Sequence, residues 1–150
     1  MVRISEQVDT RNKISDLDII MILMTNGRKS FVEIAKELNV TETAIRKRVK
    51  RMEKEGIIHG YSIEINPKKL GYGVKAVLGI DTTAQRYMSV IQEIKKLKEI
   101  LKLYSSSGDH MIMMECWFEN HEELDKFQKG LEKIKGIIDI CPAIITEIIK

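Results

Sequence analysis

Residues 30–56, SFVEIAKELNVTETAIRKRVKRMEKEG, leave the chain little choice of local fold. Ser30 with Glu33 forms a capping box, so a helix starts there and carries Ile34, Ala35 and Leu38 inward. Asn39 ends it, because asparagine tolerates the left-handed backbone that a tight turn demands better than most residues with a side chain. Thr41 caps a second helix with Ala44, Ile45, Val49 and Met52 on its apolar side, and Gly56 stops it. Small Ala35 allows the helices to approach, Asn39 bends the chain and Ile45 fills the crossing. That spacing is what a helix-turn-helix requires. Between Thr41 and Lys54 stand Arg46, Lys47, Arg48, Lys50, Arg51 and Lys54 against Glu42 and Glu53. Such a helix suits phosphates and base edges, the alternative being an ordinary helical pair with a solvated basic face.

The charge distribution agrees. Residues 1–60 hold 12 Lys/Arg and 9 Asp/Glu, whereas residues 61–150 hold 13 of each, so the net +3 belongs to the half with the helical pair. So small an excess excludes a purely electrostatic coat on nucleic acid and points to one focused element, multiplied by oligomerisation. No apolar run reaches the ~20 residues of a membrane span, and no signal peptide is visible, so a cytoplasmic protein is expected. Cys116 and Cys141 have neither a CxxC pair nor suitably spaced histidines, and read as two buried thiols.

The first 14 residues read as an arm or a short extra helix. Ser15, with Asp16 and Asp18, starts a helix whose run from Ile19 to Met24 predicts a buried third member under the other two. Residues 1–58 are thus expected to form a three-helix domain, and 59–71 a linker strand carrying Tyr61, Ile63 and Ile65 and broken by Pro67. Beyond, residues 72–150 alternate as strand 75–83, helix 85–97 with Met88, Ile91 and Ile94 inward, strand 100–106, strand 110–118, helix from Asn120 with Leu124, Phe127, Leu131 and Ile134 inward, and strand 137–149, interrupted by Pro142. The fold class is therefore α+β, an N-terminal helix-turn-helix domain followed by a ferredoxin-like βαββαβ sandwich. Both faces of that sheet read as apolar, and since helices cover only one, a second copy of the chain is the expected cover for the other.

The string of Leu17-Asp18, Gly27-Arg28, the helical pair, Arg48-Val49, Glu55-Gly56-Ile57-Ile58, Gly60-Tyr61, Asn66-Pro67 and Leu70-Gly71 resembles the Lrp/AsnC, or feast/famine, family of transcription regulators. The resemblance covers nearly the whole chain. It implies a sequence-specific regulator that binds double-stranded DNA, with homodimers assembled into tetramers or octamers, and operator binding altered by a small effector, usually an amino acid. It implies no enzymatic activity, metal or cofactor beyond that effector. Thr41, Glu42, Thr43, Arg46, Lys47, Lys50 and Arg51 are then the residues for DNA, with Arg48 and Arg51 on phosphates or holding the helix. The effector is expected at the turn of Ser106, Ser107, Gly108, Asp109 and His110, with Ile144 and Thr146 of the last strand supplied by a neighbouring dimer. The family usually repeats an aspartate where this chain has Met111. An architectural DNA-binding protein of the same fold that ignores metabolites is the alternative.

Overall fold

The computed structural model describes residues 14–149. They fall into two compact units divided between Glu64 and Ile65.

In the first unit, α1 (Asp16–Thr25), α2 (Phe31–Glu37) and α3 (Glu42–Lys54) each start on a side-chain cap. Ser15 and Ser30 make reciprocal capping boxes with Asp18 and Glu33, and Thr41 accepts the Ala44 N–H. Each cap satisfies helix N–H groups that have no partner within the helix and contributes about 1 kcal/mol. Asn39 bends the chain between α2 and α3 with φ 54°, the left-handed conformation expected of it. Ile19, Ile34, Ala35, Ile45, Val49 and Met52 form the core. Ala35 keeps only 4% of its surface exposed, which is how the helices come close.

α1 corrects the sequence reading. It is a flank of this core rather than a buried member, since only Ile19 is fully buried while Leu17, Met21 and Met24 are exposed. Two neighbouring helices can cover one stripe of a third, not its circumference.

The second unit is a ferredoxin-like sandwich built from β1 (Val74–Thr82), α4 (Tyr87–Ile94), β2 (Ile100–Ser105), β3 (Ile112–Phe118), α5 (His121–Glu132) and β4 (Ile137–Ile144). Its antiparallel strands run in the order β2-β3-β1-β4. One face buries Val74, Ala76, Leu78 and Ile80 of β1 and Ile112, Met114, Cys116 and Phe118 of β3 against Val90, Ile94, Leu124 and Leu131 of the helices. Period-two alternation along β1 and β3 is what permits this.

Several boundaries differ from expectation. The linker at 58–66 pairs with no strand among the described residues, and Pro67–Leu70 is a 3-10 turn capped by Asn66. Pro67 lacks the N–H a ladder needs. The helix expected at 85–97 opens as a 3-10 turn, Ala84–Arg86, and the changed phase buries Val90 while leaving Met88 64% exposed. The strand expected from His110 begins at Ile112, and β4 ends at Ile144. Pro142 does not break β4. Ile145 donates to the Lys75 carbonyl, so by alternation the nitrogen of Pro142 faces the open edge of the sheet.

The face away from the helices is mixed rather than uniformly apolar. Val77, Met113 and Trp117 share it with Lys75, Asp81, Glu115 and Asp139, as the strand pairing shows. Cys141 lies there exposed, against the expectation of two buried thiols, whereas Cys116 is buried and its thiol pushed up to about 12 by burial and then by Glu99 and Glu115.

Candidate nucleic-acid interface and effector loop

α3 is pinned along one side by Ile45, Val49 and Met52, which leaves Thr43, Lys47, Lys50 and Lys54 on the opposite stripe, all exposed. Among the described residues, Lys47 and Lys50 have no ion-pair partner. Among the same residues Lys54 has none either, whereas the three arginines are engaged. Arg46 pairs with Glu42 four residues back, and its guanidinium lies over the Phe31 ring, 5.3 Å from the centroid, bridging α3 to α2. Arg48 (3.0 Å) and Arg51 (2.5 Å) both donate to the carboxylate of Asp16. Arg51, expected among the DNA-contacting residues, thus holds α3 to the start of α1. Thr41, from the same set, spends its hydroxyl on the cap.

Asp16 reads in sequence as a first-turn acid of α1; its second role depends on contacts 32 and 35 residues away. The hydrogen bond from Arg51 holds its carboxyl below the usual value, with Arg48 adding to this and burial opposing it. The resulting stability is complete above the ordinary carboxylate range and is lost as pH falls through the lowered folded value. Asp16→Asn is therefore expected to reduce the acid sensitivity of the helical unit. Melting curves from pH 6 to pH 2.5 check this, and an acid limb identical to wild type would remove the clamp from the account.

In the second unit the loop between β2 and β3 is folded on itself. The Ser106 hydroxyl donates to the His110 carbonyl, and the Ser106 N–H donates to that of Met111, 2.9 Å away. Gly108 sits at φ 133°, backbone that residues with a side chain rarely adopt. Ser107, Gly108 and Asp109 form the exposed tip. Asp81 of β1 secures the base of the loop. One of its oxygens accepts from His110 Nδ1 at 2.8 Å and the other from the Met111 N–H at 3.0 Å.

The structure does not bring the expected effector residues together within one chain. Ile80 pairs with Ile112, which sets the loop at the C-terminal end of β1, whereas Ile144 pairs with Ala76 near its N-terminal end. At roughly 3.4 Å per residue the two groups are about 20 Å apart. Thr146 instead lines a cavity of about 290 Å³ with Tyr72, Lys75 and Ile145. Among the described residues no group of three or more His, Cys, Asp or Glu side chains is placed to hold a metal ion, and no helix is long and apolar enough to cross a membrane.

A helix-turn-helix with an exposed cationic stripe, followed by a sandwich domain, is the arrangement of a DNA-binding protein with a second module. The comparisons with known proteins narrow this. Residues 13–59 match the winged helix-turn-helix DNA-binding family, and residues 75–150 match the Lrp/AsnC ligand binding domain. The HTH-type transcriptional regulator LrpA of Pyrococcus horikoshii is 46% identical over 144 residues, covering 95% of this chain and 99% of its own. The structure of E. coli AsnC superposes with a TM-score of 0.76 at 29% identity, over 91% of this chain and 95% of that one. A transcriptional regulator from Neisseria meningitidis, solved as an L-Met complex, shares the fold at TM-score 0.80 and 20% identity, over 90% of each chain. The chain belongs to the Lrp/AsnC family of transcription regulators. It is a DNA-binding regulator and not an enzyme.

Proposed function

We propose that this regulator reads its operator through Thr43, Lys47 and Lys50 of α3, with Arg46 exchanging Glu42 for DNA on binding. The observation that carries this is the exposed stripe on α3, whose cations stay in water because Ile45, Val49 and Met52 hold the opposite side. A lysine there meets a phosphate or the O6 and N7 of guanine. The protein works in the cytoplasm as a dimer joined through the mixed sheet face, and larger assemblies bring recognition helices to half-sites about one helical turn apart.

The ligand-binding module takes an amino acid at the 106–110 loop. Backbone N–H groups around Gly108 suit a carboxylate and Asp109 suits an ammonium. The L-Met complex of the Neisseria protein supports an effector of this class. Since Ile144 and Thr146 are remote from the loop in their own chain, their part in the site comes from a neighbouring chain. An effector held across that junction shifts assembly by the difference in its affinity for the two arrangements.

Selection of duplexes from a random pool, followed by titration of the selected sequence with each of the twenty amino acids, tests the reading. No preference over random duplex overturns sequence-specific reading. A preferred sequence bound identically with and without every amino acid assigns the chain to the architectural alternative.

A further inference from the structure

Nothing in the helix-turn-helix or in the loop's own sequence explains why β1 carries Gly79 inside an apolar run. The structure supplies a reason. A Cβ at Gly79 would lie 2.1 Å from Cδ2 and 2.5 Å from Cγ of His110, so the imidazole rests directly on the strand where the side chain is missing. Two residues on, Asp81 takes both the ring Nδ1 and the Met111 N–H. An ionised carboxylate can only accept, so Nδ1 carries the hydrogen and Nε2 is left to change state. The loop is held twice more internally, by the Ser106 hydroxyl on the His110 carbonyl and the Ser106 N–H on that of Met111. Removing the Asp81 contact frees the His110–Met111 end of that closure.

The surroundings set the sign. On β4, Asp139 stands opposite Asp81 and Cys141 opposite Gly79; on β3, Met113 flanks Gly79 and Glu115 lies two pairs further on; Asp109 precedes the histidine in the loop. On β2, Tyr104 lies beside Met113 and the cation Lys102 beside Glu115 on the same face, while the charged groups nearer the ring are carboxylates. Protonation of the ring makes its bond to Asp81 a charge-assisted pair, roughly twice as strong as the neutral one.

We propose that Asp81, His110 and Gly79 are positioning residues for the effector loop, forming a proton-operated latch that shapes the 106–111 segment for its ligand. Histidine is the side chain suited to change charge between pH 5 and 8. The latch is tight when the ring carries both protons and looser when Nε2 has given one up. At the acid extreme it fails when Asp81 takes a proton, which the bonds from His110 and then Met111 push below the usual carboxylate range. Effector binding is then stronger on the acid side of neutrality, because less of the loop remains to be ordered. This last step rests on the amino-acid reading above; the latch itself does not.

Two measurements separate them. Amide hydrogen exchange at Ser106 and Met111, corrected for the intrinsic pH dependence and referenced to Leu78 and Met114 in the sheet, reads the latch without any ligand. Protection at the loop amides is expected to fall about tenfold between pH 5.5 and pH 8 in the wild type and to be low and flat in Asp81→Asn and in His110→Gln, with the sheet amides unchanged. Flat protection in the wild type, or an unaltered slope in Asp81→Asn, overturns the latch. Calorimetric titration with each of the twenty amino acids at pH 6 and pH 8 is the second arm. Tighter binding at pH 6 that disappears in Asp81→Asn supports the positioning role, and equal affinity of wild type and Asp81→Asn overturns it. If the exchange result holds and no amino acid binds, the latch stands and the amino-acid reading is what fails.

Discussion

Replacing Lys47 and Lys50 together by alanine is expected to weaken binding to the selected duplex by about a hundredfold at physiological salt and to flatten the dependence of affinity on salt by about two counterions. Both ammonium groups stand on the outward stripe of α3, far from its packed side, so the fold has no stake in them. The salt slope distinguishes two roles. Contacts to phosphate weaken binding to all sequences alike, whereas a lysine on a guanine edge, once removed, also relaxes the preference at its base pair. Arg51→Ala makes the contrasting case. Its guanidinium is occupied by Asp16, so its loss is expected to be felt first in melting of the helical unit. Fluorescence anisotropy between 50 and 300 mM salt measures the double variant, and an unchanged affinity and slope would move the interface off this helix.

Ile45→Ala carries the other large effect. The side chain has no exposed surface and sits where α3 crosses the rest of the helical core, beside Ile34, Ala35, Val49 and Met52. Truncation removes three carbons from water-free packing and leaves a void, which costs about 3 to 4 kcal/mol. A unit this small has only a few kcal/mol of stability to lose, so the helical unit is expected to be largely unfolded at the growth temperature of a mesophile. The sandwich draws on its own core, centred on Leu78, Ile80, Ile112 and Met114, and is expected to keep its transition. Loss of DNA binding with the sheet amides still protected from exchange is the signature. A variant that melts as the wild type does would show that Ile45 is not the keystone of the crossing.

What the chain announces locally, the structure carries out. Ser15, Ser30, Thr41 and Asn120 each cap the helix that follows, and Asn39 and Gly56 each take the positive φ their positions require. These signals act within four residues and need no knowledge of the fold. The errors came from longer range. Whether Leu17, Met21 and Met24 are buried depends on how many neighbours α1 has, and the phase of α4 depends on a single 3-10 turn before it. The largest gap concerns the effector region. The loop itself was legible from Gly108 and its serines, but Asp81 lies 29 residues from His110 and is brought to it by the pairing of β1 with β3. One trace was available, since an isolated glycine in an apolar strand often marks a place where another group comes close. Gly79 is that trace, and its meaning required knowing what approached.

Pro142 has an effect beyond β4. Its ring nitrogen, turned toward the outer margin of the sheet, offers nothing to a strand arriving from another molecule, which would find a missing rung midway along the side. Lateral growth of the sheet into ribbons or fibres is discouraged on that flank, even when the protein is crowded along a chromosome.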